Sequence, residues 1–288
     1  MLLKTTSLTS VDLSANDISS KGMNFILRTM LVNRSVKSLD LSSKTGGGNR
    51  NRFSSLNAEP LEDLMLHNST LQRLSLSTCT LGAHGVQGLS RGLVGNQSLQ
   101  YLDISQNDIG DKGACFIASV LKECVLEELN LADNNICDEG FISLAVSLGS
   151  LPNKIDSSSP VWSRAMEPTK AAAAYADSVG VLRKTVLETD EQELWPSKEK
   201  GGGTEDIKEA AKALQLAVRA AEVTLPKLKI LNLSNNSATS IGVRCAADAL
   251  QANNCLERVS LDRCDHRDPD NGYYSLLVSL PVNTTCRE

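Results

Sequence analysis

Self-comparison constrains this chain more than any other property of it. The stretch Leu8-x-x-Val11-x-Leu13-x-x-Asn16-x-Ile18 returns as Leu71-x-x-Leu74-x-Leu76-x-x-Cys79-x-Leu81. It returns again as Leu99-x-x-Leu102-x-Ile104-x-x-Asn107-x-Ile109 and Leu126-x-x-Leu129-x-Leu131-x-x-Asn134-x-Ile136. Further copies begin at Leu228 (Leu231, Leu233, Asn236) and Leu256 (Val259, Leu261, Cys264), and a looser one at Val36 (Leu39, Leu41). The seven starts, 8, 36, 71, 99, 126, 228 and 256, lie 28, 35, 28, 27, 102 and 28 residues apart. One period dominates, so the chain must fold as an array of like units.

A glycine follows the Asn or Cys by six residues, with apolar residues four and eight later. The sets are Gly22/Ile26/Met30, Gly85/Leu89/Leu93, Gly113/Ile117/Leu121, Gly140/Leu144/Leu148 and Gly242/Ala246/Leu250. Gly272/Leu276/Leu280 repeats the spacing after a loop two residues longer. Spacings of four and eight place side chains on one helical face, whereas period two marks a short strand. Each unit therefore reads as strand, turn, helix, turn, and buries its apolar side only against its neighbours. Strands pack about 4.8 Å apart and helices about 10 Å apart, so the stack curves with its parallel sheet inside. An inward Asn where the chain leaves the strand can satisfy backbone groups that no ladder reaches, and Cys fills that place as a small apolar residue.

The pattern resembles the leucine-rich-repeat family and, within it, the long-repeat ribonuclease-inhibitor-like class. Leu99–Ile109 followed by Gly113, Ile117 and Leu121 is the clearest instance, and the likeness covers about 8–151 and 225–286. It implies an α/β fold: a curved leucine-rich-repeat solenoid or horseshoe, sheet concave and helices convex. Five repeats occupy 1–151, a flexible, partly helical insertion 152–206, and a returning helix with two more repeats and the start of another 207–288. The insertion opens with Pro152, Ser157-Ser158-Ser159-Pro160 and Pro168, closes with Lys198-Glu199-Lys200-Gly201-Gly202-Gly203, and carries both tryptophans, Trp162 and Trp195. The first strand starts without a capping element and Asn283-Thr284-Thr285-Cys286 opens another, which predicts a segment of a longer solenoid.

Other chemistry is weighed against this scaffold. A net charge of −5 leaves no cationic excess for a dedicated nucleic-acid binder. No run of about 18 apolar residues spans a membrane, and Met1-Leu2-Leu3-Lys4 is too short for a secretory signal. Eight cysteines without a C-x-x-C pair predict free thiols in a reducing, cytoplasmic setting, with cytoskeletal or ciliary association open. The glycine run in Lys44–Arg52 lacks the Lys-Ser/Thr of a phosphate loop. The polar loop Asp262–Gly272 lacks calcium-loop register, since Arg267 and Pro269 fall at ligand positions. No nucleophile elbow or paired acids stand out, so no catalytic residue, metal or cofactor is expected. Among the Asn-x-Ser/Thr sequons, those at 33, 68, 96 and 283, but not 235, fall where helices end and read as left-handed helix caps rather than glycosylation sites.

The concave face carries the function in this reading. Its invariant Asp, Asn and Ser columns report solvated strands, and the residues that vary between repeats report a partner. The candidate protein-binding set is Arg73, Tyr101, Asp103, Glu127, Glu128, Asn130, Ile230, Asn232, Arg258 and Asp262. One aromatic, mixed charge and small polar groups suit a protein ligand. The expectation is a non-enzymatic intracellular interaction scaffold. Two alternatives stand beside it: a GTPase-activating protein resembling the Ran-directed kind, with Arg50 or Arg52 assisting phosphoryl transfer, and the sensor segment of a larger innate-immune-type receptor.

Overall fold

In each described repeat a buried or partly buried leucine or valine sits between two more exposed or equally exposed residues, and three residues of strand follow from that alternation. A computed structural model describes residues 7–44, 49–149 and 226–264. The strands are β1 (Ser10–Asp12), β2 (Ser38–Asp40), β3 (Arg73–Ser75), β4 (Tyr101–Asp103), β5 (Glu128–Asn130), β6 (Ile230–Asn232) and β7 (Arg258–Ser260). They form one parallel sheet in sequence order. The central residues Leu39, Leu74, Leu102, Leu129 and Leu231 are buried, and each pairs in register with the next. The repeat alignment read from the sequence is therefore the hydrogen-bond register.

The helices are α1 (Ser20–Val32), α2 (Ala58–His67), α3 (Gly82–Leu93), α4 (Gly110–Val120), α5 (Asp138–Ser147) and α6 (Ser240–Ala252), with a 3-10 turn at Ser55–Asn57 before α2. Their inner faces and the strand leucines make one continuous core from Val11 to Cys264. Burying each such leucine contributes about 1.5–3 kcal/mol. In α1 the buried residues are Met23, Leu27 and Met30, while Ile26, expected on that face, is only partly covered. A Cβ on Gly113 would lie 2.6 Å from the Ile109 Cβ, which is why this position must stay bare. Gly92 serves a different contact: a Cβ there would overlap the Glu62 carbonyl and lie 2.6 Å from the Met65 Cβ, so α3 rides directly on the α2 backbone.

Two asparagine ladders stitch the repeats together. On the strand-exit side, Asn107 Oδ1 accepts the Cys79 and Leu81 N–H groups at 2.9 and 3.0 Å. Its Nδ2 donates to the carbonyls of Leu76, Ile104 and Ser105. Asn134 accepts the Asn107 N–H, and Asn236 accepts those of Asn134 and Ile136. The residues flanking Cys79 turn through left-handed backbone, Thr78 (φ 60) and Thr80 (φ 59), and Asn107 takes the N–H that follows each. L-residues occupy that region at a cost of about 1–3 kcal/mol unless neighbours hold them, and here the asparagine holds both.

The second repeat holds a ladder residue inside the Lys44–Arg52 stretch. Asn51 is fully buried and occupies the ladder position: its Oδ1 accepts the Asn16 and Ile18 N–H groups, and its Nδ2 donates to Leu13, Leu41 and Ser42. Ser43 Oγ bonds both Asn51 N–H and Asn51 O, tying the end of β2's exit to the ladder residue. The two ladder cysteines are also more than apolar filler. Cys79 Sγ donates to Leu41 O at 3.2 Å and Cys264 Sγ to Leu233 O at 3.0 Å, reproducing part of the amide's donor role.

On the helix-exit side, Asn68 Nδ2 donates to Met30 O and Asn33 O while its Oδ1 accepts the Thr70 and Leu71 N–H groups. Asn96 repeats this against Met65 and Leu99, and Asn253 against Leu148 and Leu256. These residues do close helices, but not by left-handed backbone. Asn33 (φ −71) and Asn68 (φ −89) are extended, and the side chain rather than the backbone makes the cap. Of the remaining sequons, Asn235 does turn left-handed (φ 56), in the strand-to-helix turn, and Asn283 lies outside the described residues.

From Ser147 at the end of α5 to Ile230 at the start of β6 the chain is far longer than between other neighbouring repeats, yet the packing is the same. β5 pairs with β6 as any two neighbours do, and α5 lies against α6. Asp138 Oδ1 accepts the Thr239 and Gly242 N–H groups, just as Asp111 accepts those of Cys137 and Gly140 one repeat earlier. The proposed insertion, the helix expected over 207–223, both tryptophans and the Gly272 set lie outside the described residues.

Candidate functional site

Parallel register turns single residues into rows. Ser10, Ser38, Arg73, Tyr101, Glu128, Ile230 and Arg258 form one row across the sheet, directly beside the row Asp12, Asp40, Ser75, Asp103, Asn130, Asn232 and Ser260. Nine of the ten candidate residues are strand or strand-edge neighbours on this face. Asp262 stands two residues past Ser260, where the chain has left β7, and it is exposed.

The centre of the face is built by three adjacent strands. The Arg73 guanidinium carbon lies 3.8 Å from the centroid of the Tyr101 ring, and Arg73 Nη1 lies 3.8 Å from Glu128 Oε1. A cation over an aromatic face that also meets a carboxylate is held from two directions, which orients a long side chain otherwise free to swing. Tyr101 is half-buried, and its hydroxyl pKa is raised, chiefly by burial and then by Asp103, with Arg73 opposing. It stays a neutral phenol, with a hydrogen-bonding tip on an apolar body. Such side chains are enriched where proteins meet proteins.

Glu127 sits one residue before β5 and reaches Lys229, one residue before β6, at 2.7 Å. Glu127 raises the Lys229 pKa through that bond and its charge. Lys229 was absent from the sequence-derived set. The signal was present, because each residue follows the first leucine of its repeat, but 102 residues separate them in the chain.

The second row has a task of its own. Asp103 Oδ1 accepts the Ser105 N–H and hydroxyl; Asn130 accepts the Ala132 N–H, and Asn232 that of Ser234. Asp12 and Asp40 do the same for Ser14 and Ser42. Each closes the turn out of its own strand, so this column answers to the repeat first. The Asp12 carboxyl is held below its ordinary pKa by that Ser14 backbone bond above all.

Arg50 and Arg52 are exposed on the loop that Asn51 anchors, away from the Arg73–Tyr101–Glu128 row in the sheet. Among the described residues, no group of three or more His, Cys, Asp or Glu side chains is placed to hold a metal ion. No helix among them is long and apolar enough to cross a membrane.

Comparison with known proteins agrees with this architecture. The family described as "Leucine Rich repeat" matches at residues 4–27, 67–90, 95–118 and 123–145. Mouse ribonuclease inhibitor is 29% identical over 226 residues, covering 78% of this chain and 46% of the inhibitor. Human "NACHT, LRR and PYD domains-containing protein 12" is 34% identical over 124 residues, 42% of this chain and 11% of that protein. The Dictyostelium discoideum Rho GTPase-activating protein gacW is 33% identical over 134 residues, 44% of this chain and 12% of that protein. The chain thus spans less than half the length of each of these relatives. With seven parallel strands alternating with helices among the described residues, asparagine ladders along the turns and these matches, the chain is built of leucine-rich repeats of the ribonuclease-inhibitor-like class.

Proposed function

We propose that this chain is a non-enzymatic interaction scaffold whose solvent-facing sheet surface binds another protein. The observation that supports it is the Arg73–Tyr101–Glu128 assembly, in which the aromatic of the row is half-buried and braced by a paired cation. Around it, Ile230 and Arg258 extend the row and Glu127–Lys229 flanks it, giving a central aromatic with a polar surround. Asp103, Asn130, Asn232 and Asp262 border that surface. The scaffold's fold says nothing of the partner's identity, which rests on these side chains. A reducing, cytoplasmic location fits this reading, because the seven described cysteines are free thiols.

The test is quantitative capture of binding partners by the full chain and by Tyr101→Ala and Arg73→Glu variants with unchanged far-ultraviolet circular dichroism. Truncating a central aromatic costs about 2 kcal/mol or more at an interface, a loss of at least about 30-fold in affinity. Partners retained at wild-type level by both variants refute the assignment of this face. The similarity to a GTPase-activating protein covers 12% of that protein, too little to carry its activity across. The alternative has its own readout, GTP hydrolysis lost on Arg50→Ala or Arg52→Ala.

A further inference from the structure

Among the described residues five large apolar side chains are exposed, and four of them stand on the helical side of repeats one and two. Phe25 (72% exposed) and Val32 (62%) belong to α1, Leu56 (65%) to the turn into α2, and Leu66 (56%) to α2 itself. α1 and α2 pack side by side, so these residues occupy two neighbouring ridges. Apolar groups gathered on a surface and rimmed by charge mark an interaction site. Helical spacing joins each ridge to charges of one sign. Lys21, Phe25, Arg28 and Val32 recur at four, seven and eleven residues; Leu56, Glu59, Asp63 and Leu66 recur at three, seven and ten. One stripe is cationic and apolar, the other anionic and apolar.

The two stripes do not neutralise each other within one chain. Lys21, Arg28, Glu59 and Asp63 form no ion pair within 4 Å among the described residues, and each is exposed or half-exposed. Glu62, which pairs with Arg91 of α3, senses the acidic ridge: its carboxyl pKa is raised, chiefly by burial, with Asp63 and Glu59 adding to this and Arg91 opposing. Residues 35 apart stand at one level of α1 and α2, as the cap residues Asn33 and Asn68 show, so Arg28 and Asp63 share a level. A copy turned over about a two-fold axis along these helices sets its α2 on this α1, where Arg28 meets Asp63 and Val32 lies beside Leu66. We infer that the outer face of repeats one and two binds a second copy of the chain, α1 of each on α2 of the other. Covering Phe25, Val32, Leu56 and Leu66 supplies the affinity, while the charge pairs add little and fix which helix meets which. This face lies on the helical side and not on the sheet, so it is independent of the proposed function.

Sedimentation velocity of the full chain over a concentration series reads the assembly directly. The expected result is a reversible species of twice the 30.9 kDa chain mass. Phe25→Asp raises its dissociation constant at least about tenfold. Phe25 is largely exposed, so the circular dichroism of that variant stays as in the wild type. Arg28→Glu and Asp63→Arg each weaken the dimer, and both changes in one chain restore it, because each reversed residue then meets the other across the axis. A wild-type chain that stays monomeric up to about 100 μM overturns the inference. So does a dimer indifferent to Phe25→Asp, or one that the double reversal leaves as weak as the single changes.

Discussion

Replacing Asn107 by Ala puts a number on what a single ladder rung contributes. The residue is 1% exposed, so water cannot replace it. Its Oδ1 is the acceptor of the Cys79 and Leu81 N–H groups, and its Nδ2 reaches three carbonyls. Removing the amide leaves two buried N–H groups unsatisfied at about 1–3 kcal/mol each, before any loss at the carbonyls. Thr78 and Thr80, left-handed on either side of Cys79, also lose the anchor on the N–H that follows each. The total is about 3–6 kcal/mol, a large part of the stability of an ordinary domain. Asn107→Cys separates the two halves of the amide. Cys79 and Cys264 show that a thiol can donate to these carbonyls, but a thiol accepts poorly. At 79 the Asn51 N–H finds Ser43 Oγ instead, and no such bond is made around 107. Asn107→Cys should therefore recover only about 1 kcal/mol of the loss. Urea unfolding followed by circular dichroism, with the slope compared between variants, gives both values. A loss below about 1 kcal/mol for Asn107→Ala, or a wild-type Asn107→Cys, would refute the acceptor argument.

Three further outcomes are expected. Gly92→Ala forces α3 off the α2 backbone and should lower stability by about 1–3 kcal/mol, read as a fall in thermal midpoint, whereas an unchanged midpoint would show the helices free to separate. Burial pushes the thiols of Cys79 and Cys124 up to about 12 and about 11, while an unfolded thiol ionises from about pH 8.5. A raised folded-state pKa means stability is full below about pH 8.5 and is lost as pH climbs towards those values, by up to about 1.4 kcal/mol per unit for each thiol, so urea midpoints at pH 7.5 and 10 should differ in that direction. Removing 152–206 should leave the free energy of unfolding unchanged or raised by up to about 1 kcal/mol, since the β5–β6 junction is made by residues outside that segment; a collapse of the transition would show that the segment is needed to close it.

The strands, their register and most rungs were legible because burial on one side and period two leave little choice about which residues face inward. Asn51 was not, because seven extra residues displaced it from the expected place, and only the carbonyls of Leu13 and Leu41 identify it. The asparagines at helix ends were found for a reason the structure does not share: position suggested left-handed backbone, while the amide itself makes the cap. On the sheet face, Arg73, Tyr101 and Glu128 stood out by differing between repeats, but that the three interlock depends on side-chain directions that spacing does not encode. Asp103, Asn130 and Asn232 entered the same set on composition, and each proves to be closing its own turn.

The junction between β5 and β6 sets an order of events in folding. Most neighbouring repeats meet across about 28 residues of chain, whereas Asn134 and Asn236 meet across 102. Closing the longer span costs about 1 kcal/mol more in chain entropy for the same set of bonds. Repeats one to five thus assemble through short closures, and β6 and β7 dock onto a surface already formed. The same difference makes this seam weaker than an equally bonded joint between repeats adjacent in the chain, and the last of such joints to close when the chain refolds.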